Sequence, residues 1–281
     1  MKKAQSLFQS LSKRDGDFIA QNEDAVRVDL PKRLALSDGA GGTGVEAHQW
    51  ARHLLDNLPD APMRSFDDVT AWQDGIWQPY FDKIEGELTN SRSNALDKFY
   101  TEGSSATLVA AWFEGKGKTR KAHILSYGDS VILLWREKTR KIWTNTPDLS
   151  VFLDNPFLLN CNEPPVAHGY FDTWSVQKGD VLILASDTIG QFLLSSFYLL
   201  HAPEKHATMF DAIRKSPVRF AAIFQDVAEY YQQHSDETWA KVLAQLTENL
   251  ATADKFRVYT EGLKSFGLLG FDDYSVILHH F

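Results

Sequence analysis

The chain has 281 residues, 43% of them hydrophobic and 12% aromatic, with 37 acidic side chains against 29 Lys and Arg and a formal charge of −8. That apolar content suffices for a sizeable core in one large domain or two small ones. The acidic balance excludes the clustered basic face of a nucleic-acid-binding protein, and the short basic runs KKAQ, SKR and GKGKTRKAH read as a solvated terminus and turns.

The N-terminus MKKAQSLFQSLSKRDGD carries positive charge without an apolar h-region, and no apolar segment approaches the length of a membrane span. The expectation is a soluble cytoplasmic protein with no membrane partner. The lone cysteine, Cys161, fits a reducing compartment. It is no phosphatase nucleophile of the C-x5-R type, because the sixth residue after it is Ala167, and it reads as a buried structural thiol.

AVRVDL and KRLALSD flank the turn LPKR as a hairpin whose second strand ends at Asp38. Directly after it, Gly39, Gly41 and Gly44 formally match G-x-G-x-x-G. A dinucleotide turn also needs a βαβ unit with an acidic residue closing the second strand, and Asp56 and Asp60 terminate no apolar strand. Asp38 is therefore the residue to explain. Helical spacing fills 44–99, interrupted at 59–65 and loosened at 91–94, and its Trp, Phe and Tyr stripe reads as core.

Short strands follow at SSATLVAAWF, KAHILSYGD, SVILLWRE and KIWTN, expected to form an antiparallel meander. After a loop rich in Asn and Pro, YFDTWSV and DVLILASD are expected to pair through a hairpin-like QKGD. Helical spacing returns over 188–200 and 209–250, and YSVILHHF closes the chain as a strand. Strand runs broken by paired helices imply an α+β layered fold, and the closing strand implies one domain over 1–281.

Acidic residues recur where apolar strands begin or end: Glu23 and Asp24 in QNEDAVRV, Asp38 in LALSDG, Asp129 in LSYGDS, Asp187 in LILASD, Asp272 and Asp273 in GFDDYSVIL. Each alone is equally a turn residue bonding its local backbone. Strand ends converge at a sheet rim, however, and gathered carboxylates with no His or Cys favour Mg²⁺ or Mn²⁺.

The ordered series NED, DGAGG, GSSAT, GDS, SD and DDYS, from about Gly16 to Phe281, resembles the metal-dependent protein phosphatases of type 2C, the PPM family, in its bacterial form. The resemblance implies a four-layer αββα sandwich with helix pairs flanking antiparallel sheets. It implies a phosphoserine/phosphothreonine phosphatase, a signalling hydrolase, that uses metal-activated water at a dinuclear centre on phosphorylated protein substrates. Asp38 would bridge two Mn²⁺ or Mg²⁺ ions, with the Gly39 carbonyl and Glu23 on one and Asp187 and Asp272 on the other. Asp129 would hold a third, weaker ion, Asp24 would orient metal-bound water, and Asp273 stands where the family has Asp or Asn. The segment 148–165 falls where the family inserts its substrate-choosing flap, and Phe152, Phe157 and Leu158 there either form a docking surface or pack onto the sandwich. Gly103, Ser104, Ser105 and Ala106 match a small-residue strand entry.

Four departures stand out. Ile19 replaces the phosphate-binding Arg, Ala40 the His proposed to protonate the leaving group in some relatives, Thr188 a Gly, and Val131 a frequent Arg. Arg14, five residues before Ile19, either replaces the missing guanidinium or is a solvated loop arginine. A second reading is accordingly a metal-binding pseudophosphatase or phosphoprotein-binding regulator. A third, a nucleotide-binding oxidoreductase, rests on GAGGTG alone.

Overall fold

The computed structural model describes residues 5–15, 18–42, 44–92 and 94–281. Residues 1–4 with the first basic run, Gly16 where the resemblance begins, Asp17 of the SKRDGD loop, Thr43 of the glycine-rich turn and Ser93 lie outside the described residues.

In chain order, β1 (Gln5–Leu11), the short pair β2 (Arg14–Asp15) and β3 (Phe18–Ile19), β4 (Ala25–Asp29) and β5 (Arg33–Ser37) lead into α1 (Ala47–Asp56), α2 (Phe66–Asn90) and α3 (Ala95–Glu102). Then come β6 (Ser105–Ala106), β7 (Leu108–Glu114), β8 (Lys121–Tyr127), β9 (Val131–Arg136), β10 (Lys141–Thr144), β11 (Leu159–Asn160), β12 (Tyr170–Ser175) and β13 (Asp180–Ala185). Five helices, α4 (Asp187–Leu200), α5 (Ala207–Arg214), α6 (Arg219–Gln233), α7 (Trp239–Asn249) and α8 (Ala253–Ser265), precede the closing β14 (Tyr274–His280).

Two antiparallel five-stranded sheets result, ordered β1-β14-β13-β9-β10 and β12-β8-β7-β5-β4. Side chains alternate across each strand, so both faces of the central strands are apolar and each face needs a cover. In β5, Leu34 and Leu36 face Ile132, Leu134, Leu182 and Leu184 of the other sheet, while Ala35 turns outward beneath Trp50 and Leu54 of α1. Across the sandwich Leu133, Ile183 and Leu278 face outward beneath Leu193 and Phe197 of α4, Phe224 of α6 and Trp239 of α7. These interfaces make four layers, α-β-β-α, as the resemblance implied.

Two expected pairings are corrected. The meander divides, because β7 pairs with β8 in one sheet while β9 pairs with β10 and β13 in the other. The QKGD turn likewise joins β12, paired with β8, to β13 in the opposite sheet, so it closes no hairpin. Sequence neighbours usually pair, but each strand here also presents apolar residues to the space between the sheets, and crossing over fills that space from both sides. The crossover at Gly128 is permitted by its positive φ of 97°, and a Cβ there would stand 2.7 Å from the Thr107 methyl. The helical stretch 209–250 breaks into three helices, and α8 extends beyond it. Only Phe256 and Thr260 of α8 are buried, which leaves little periodicity to read. Among the described residues no helix is long and apolar enough to cross a membrane.

Candidate metal centre

Register brings the acidic residues to one rim. Ala25 pairs with Ser37, so Asp24 and Asp38, one step beyond, leave the first sheet together. Ala185 pairs with both Val131 and Val276, which sends Asp129, Asp187 and Asp272 out of the second sheet at one end. Glu23, Asp38, Gly39, Asp129, Asp187 and Asp272 all line one pocket of about 200 Å³, together with Lys13, Ala40, Gly41, Gly42, Thr107, Pro156 and Leu158. Asp24 is 7% exposed and both its oxygens are shut off from solvent.

The backbone around Asp38 is held tightly. Its amide donates to Thr107 Oγ1 at 3.0 Å, its carbonyl accepts from the Thr107 amide at 2.8 Å, and Thr107 Oγ1 meets Ser130 Oγ at 2.6 Å. The glycine-rich turn serves Glu23. A Cβ on Gly41 would stand 1.7 Å from Glu23 Oε1, so the carboxylate occupies the space that a side chain would fill. Five carboxylates around the turn repel a pyrophosphate, which removes the dinucleotide reading.

Burial is the main cause that pushes the Asp38 and Asp187 carboxyls well above their ordinary range. The fields of Asp24, Asp187, Asp129 and Asp272 add to it at Asp38, and those of Asp129 and Asp272 at Asp187. Burial, with the field of Asp272, pushes Asp129 up to about 6. Burial also pushes Asp24 up to about 7, with Asp273 and Asp272 adding and nearby Ser275 and Asp38 tempering the rise. Neither Asp24 oxygen makes a well-formed hydrogen bond. Like charges this close call for a cation, and the donor set suits a hard one. Among the described residues no three His, Cys, Asp or Glu side chains already stand within reach of a single ion.

Asp273 differs from its neighbour. It is 3% exposed and accepts the Lys13 amide at 2.6 Å and the Glu23 amide at 2.8 Å, tying the end of β1 to the NED segment. Thr188 holds Asp187 in place, donating its amide at 2.5 Å and its hydroxyl at 3.1 Å to Oδ1. Val131 is buried under α4, where a Cβ on Gly190 would stand 2.4 Å from its Cγ2, so that position has no room for an arginine. Phe152 packs in the helix-side core, Phe157 is 44% exposed against His168, and Leu158 reaches the acidic pocket. Cys161 is buried beside the Ser104 amide, and burial pushes its thiol up to about 11.

Lys13 is the site residue that sequence reasoning overlooked. Its Nζ lies 2.8 Å from Glu23 Oε2, 3.7 Å from Asp272 Oδ1 and 4.0 Å from Asp273 Oδ2. Burial opposes its charge, but the hydrogen bond to Glu23 and the fields of Asp273, Glu23 and Asp272 prevail and hold the ammonium protonated above its ordinary value. The signal was β1, whose Leu11 pairs with Tyr274 and so delivers residue 13 to the rim where Asp272 stands. Ile19 is 56% exposed and pairs with Arg14 in the β2–β3 pair, away from the pocket lining. Arg14 lines a separate cavity and does not fold over the carboxylates.

No family model matches the sequence, and no curated protein matches it significantly. Among solved structures the chain is similar to the serine/threonine phosphatase Stp1 from Staphylococcus aureus, at 14% identity and TM-score 0.50 over 100% of this chain and 96% of that one. It is also similar to a bacterial serine phosphatase, at 14% identity and TM-score 0.51 over 99% and 98%. The catalytic domain of the phosphatase PstP in complex with two manganese ions matches at 16% identity and TM-score 0.48 over 99% and 97%. Across its full length the chain therefore has the fold of the bacterial PPM serine/threonine phosphatases.

Proposed function

We propose that the chain is a Mg²⁺- or Mn²⁺-dependent phosphoserine/phosphothreonine protein phosphatase, with one catalytic domain over 1–281. The observation that carries this reading is the convergence of Glu23, Asp38, Asp129, Asp187 and Asp272, from both sheets, on a single pocket. Glu23, Asp38 and the Gly39 carbonyl would hold one ion and Asp38, Asp187 and Asp272 another, with Asp129 beside Asp187 for a third. Bound there, such ions supply a water of lowered pKa as nucleophile and neutralise the phosphoryl oxygens.

The chain's own groups do the rest. Asp38 carries the central charge, and its backbone is immobilised by Thr107. Asp24 shields that carboxylate from bulk water, and without metal burial pushes its own carboxyl up to about 7. Lys13 offers a compact cation at the pocket, where its ammonium would contact a phosphate oxygen once Glu23 engages a metal. Pro156 and Leu158 give the pocket an apolar edge for the substrate's main chain.

Turnover of p-nitrophenyl phosphate, measured with and without Mn²⁺ and repeated on Asp38→Asn, tests the reading. Metal-dependent hydrolysis lost in the variant is the expected result. A second reading, a phosphoprotein-binding protein with little or no turnover, is favoured by the ion pair that occupies Glu23 and by Ala40 in the pocket wall. Phosphopeptide binding without hydrolysis in Mn²⁺ would select it.

A further inference from the structure

A second cavity, about 420 Å³, has the opposite character. Among the described residues Arg14, Arg257 and Lys264 line it together with the carboxylate of Glu261, in a chain whose net charge is −8. Thr260 and Tyr274 add hydroxyls to the lining. Arg257 keeps a buried Nε with no hydrogen-bond partner, an uncompensated charged donor. Lys264 Nζ donates to the Arg14 carbonyl at 3.3 Å and sits 4.4 Å from the Phe271 ring, which fixes α8 against the segment leaving β1.

The two cavities share a wall. Lys13 lines the acidic pocket, whereas Ser12 and Arg14 on either side of it line the basic one. Asp272 and Tyr274 divide in the same way. Lys13 and Arg14 turn to opposite sides of one extended segment, so groups held in the two cavities would stand roughly 10–14 Å apart, the reach of three or four residues of extended peptide.

We propose that the basic cavity is a subsite for a second phosphoryl group of the substrate, so that the protein selects segments carrying two phosphorylated side chains a few residues apart. The proposal rests on the phosphatase reading of the acidic pocket. Guanidinium and ammonium groups together recognise a dianionic phosphate by charge-assisted hydrogen bonds, and the unpartnered Arg257 donor would gain its acceptor.

The test is fluorescence anisotropy in Mn²⁺ with peptides bearing non-hydrolysable phosphonates, one per peptide or two spaced three residues apart. The wild type should bind the doubly substituted peptide roughly tenfold more tightly. Lys264→Gln, an exposed position, should erode that preference, and Arg257→Gln/Lys264→Gln should abolish it, leaving the singly substituted peptide and p-nitrophenyl phosphate turnover unchanged. Equal binding of the two peptides by the wild type, or a preference that survives the double variant, overturns the proposal. So does inorganic phosphate binding as tightly as the doubly substituted peptide, which would make the cavity a free-anion site. If the preference is present but p-nitrophenyl phosphate is not hydrolysed, the subsite stands and the phosphatase reading fails.

Discussion

Replacing Asp24 by Asn should stabilise the metal-free protein, and increasingly so as pH rises from about 4 to about 7. The folded chain keeps a proton on Asp24 up to about pH 7, against an ordinary 3.8, because the side chain is enclosed and faces the fields of Asp273 and Asp272. Between those values the folded state holds more protons than the unfolded one, so this group's contribution falls as pH rises from about 4 to about 7. A rise from 3.8 to about 7 corresponds to about 4 kcal/mol at pH 8. The neighbouring carboxylates stay crowded in the variant and part of the repulsion remains, so about 2 kcal/mol is the expected gain. In a chain of this size that raises Tm by about 3–4 °C. Thermal unfolding in EDTA at pH 5 and pH 8 measures it, with a gain at pH 8 more than about twice that at pH 5. An equal gain at both values, or a loss at pH 8, would refute the reasoning.

Asp38→Asn should abolish phosphatase turnover and the stabilisation by Mn²⁺, which in the wild type is about 2.7 kcal/mol at a hundred times Kd; paired melts with and without metal read this independently of activity. Lys13→Gln should raise KM for phosphorylated peptides about tenfold, the scale of a lost charge-assisted hydrogen bond. Ile19→Arg should leave KM within about twofold, because that side chain is exposed outside the pocket; steady-state kinetics of the two variants side by side checks both. Asp180→Ala should cost about 3–5 kcal/mol in denaturant unfolding. It strands Arg136, whose Nε and Nη2 donate at 2.9 and 2.7 Å to a carboxylate only 1% exposed.

Local chemistry was enough to determine much of this protein. The apolar runs at 33–37, 121–127, 180–185 and 274–280 are strands, the aromatic stripe of α1 and α2 is core, and each acidic candidate stands one or two residues from a strand end. Those features depend on a residue and its near neighbours, which is why they were legible. Partnership was not. In β5 every residue is buried, so apolar content marks a strand without saying which face meets the other sheet. The crossovers at Gly128 and after Ser175, the pairing of β1 with β14, and the weakly amphipathic α8 were decided by contacts between distant segments. So was the division of Lys13 from Arg14, one into the carboxylates and the other into the basic cavity. Adjacent residues of an extended segment point to opposite sides, and only the packing of β14 and α8 on either side determines what each of them meets.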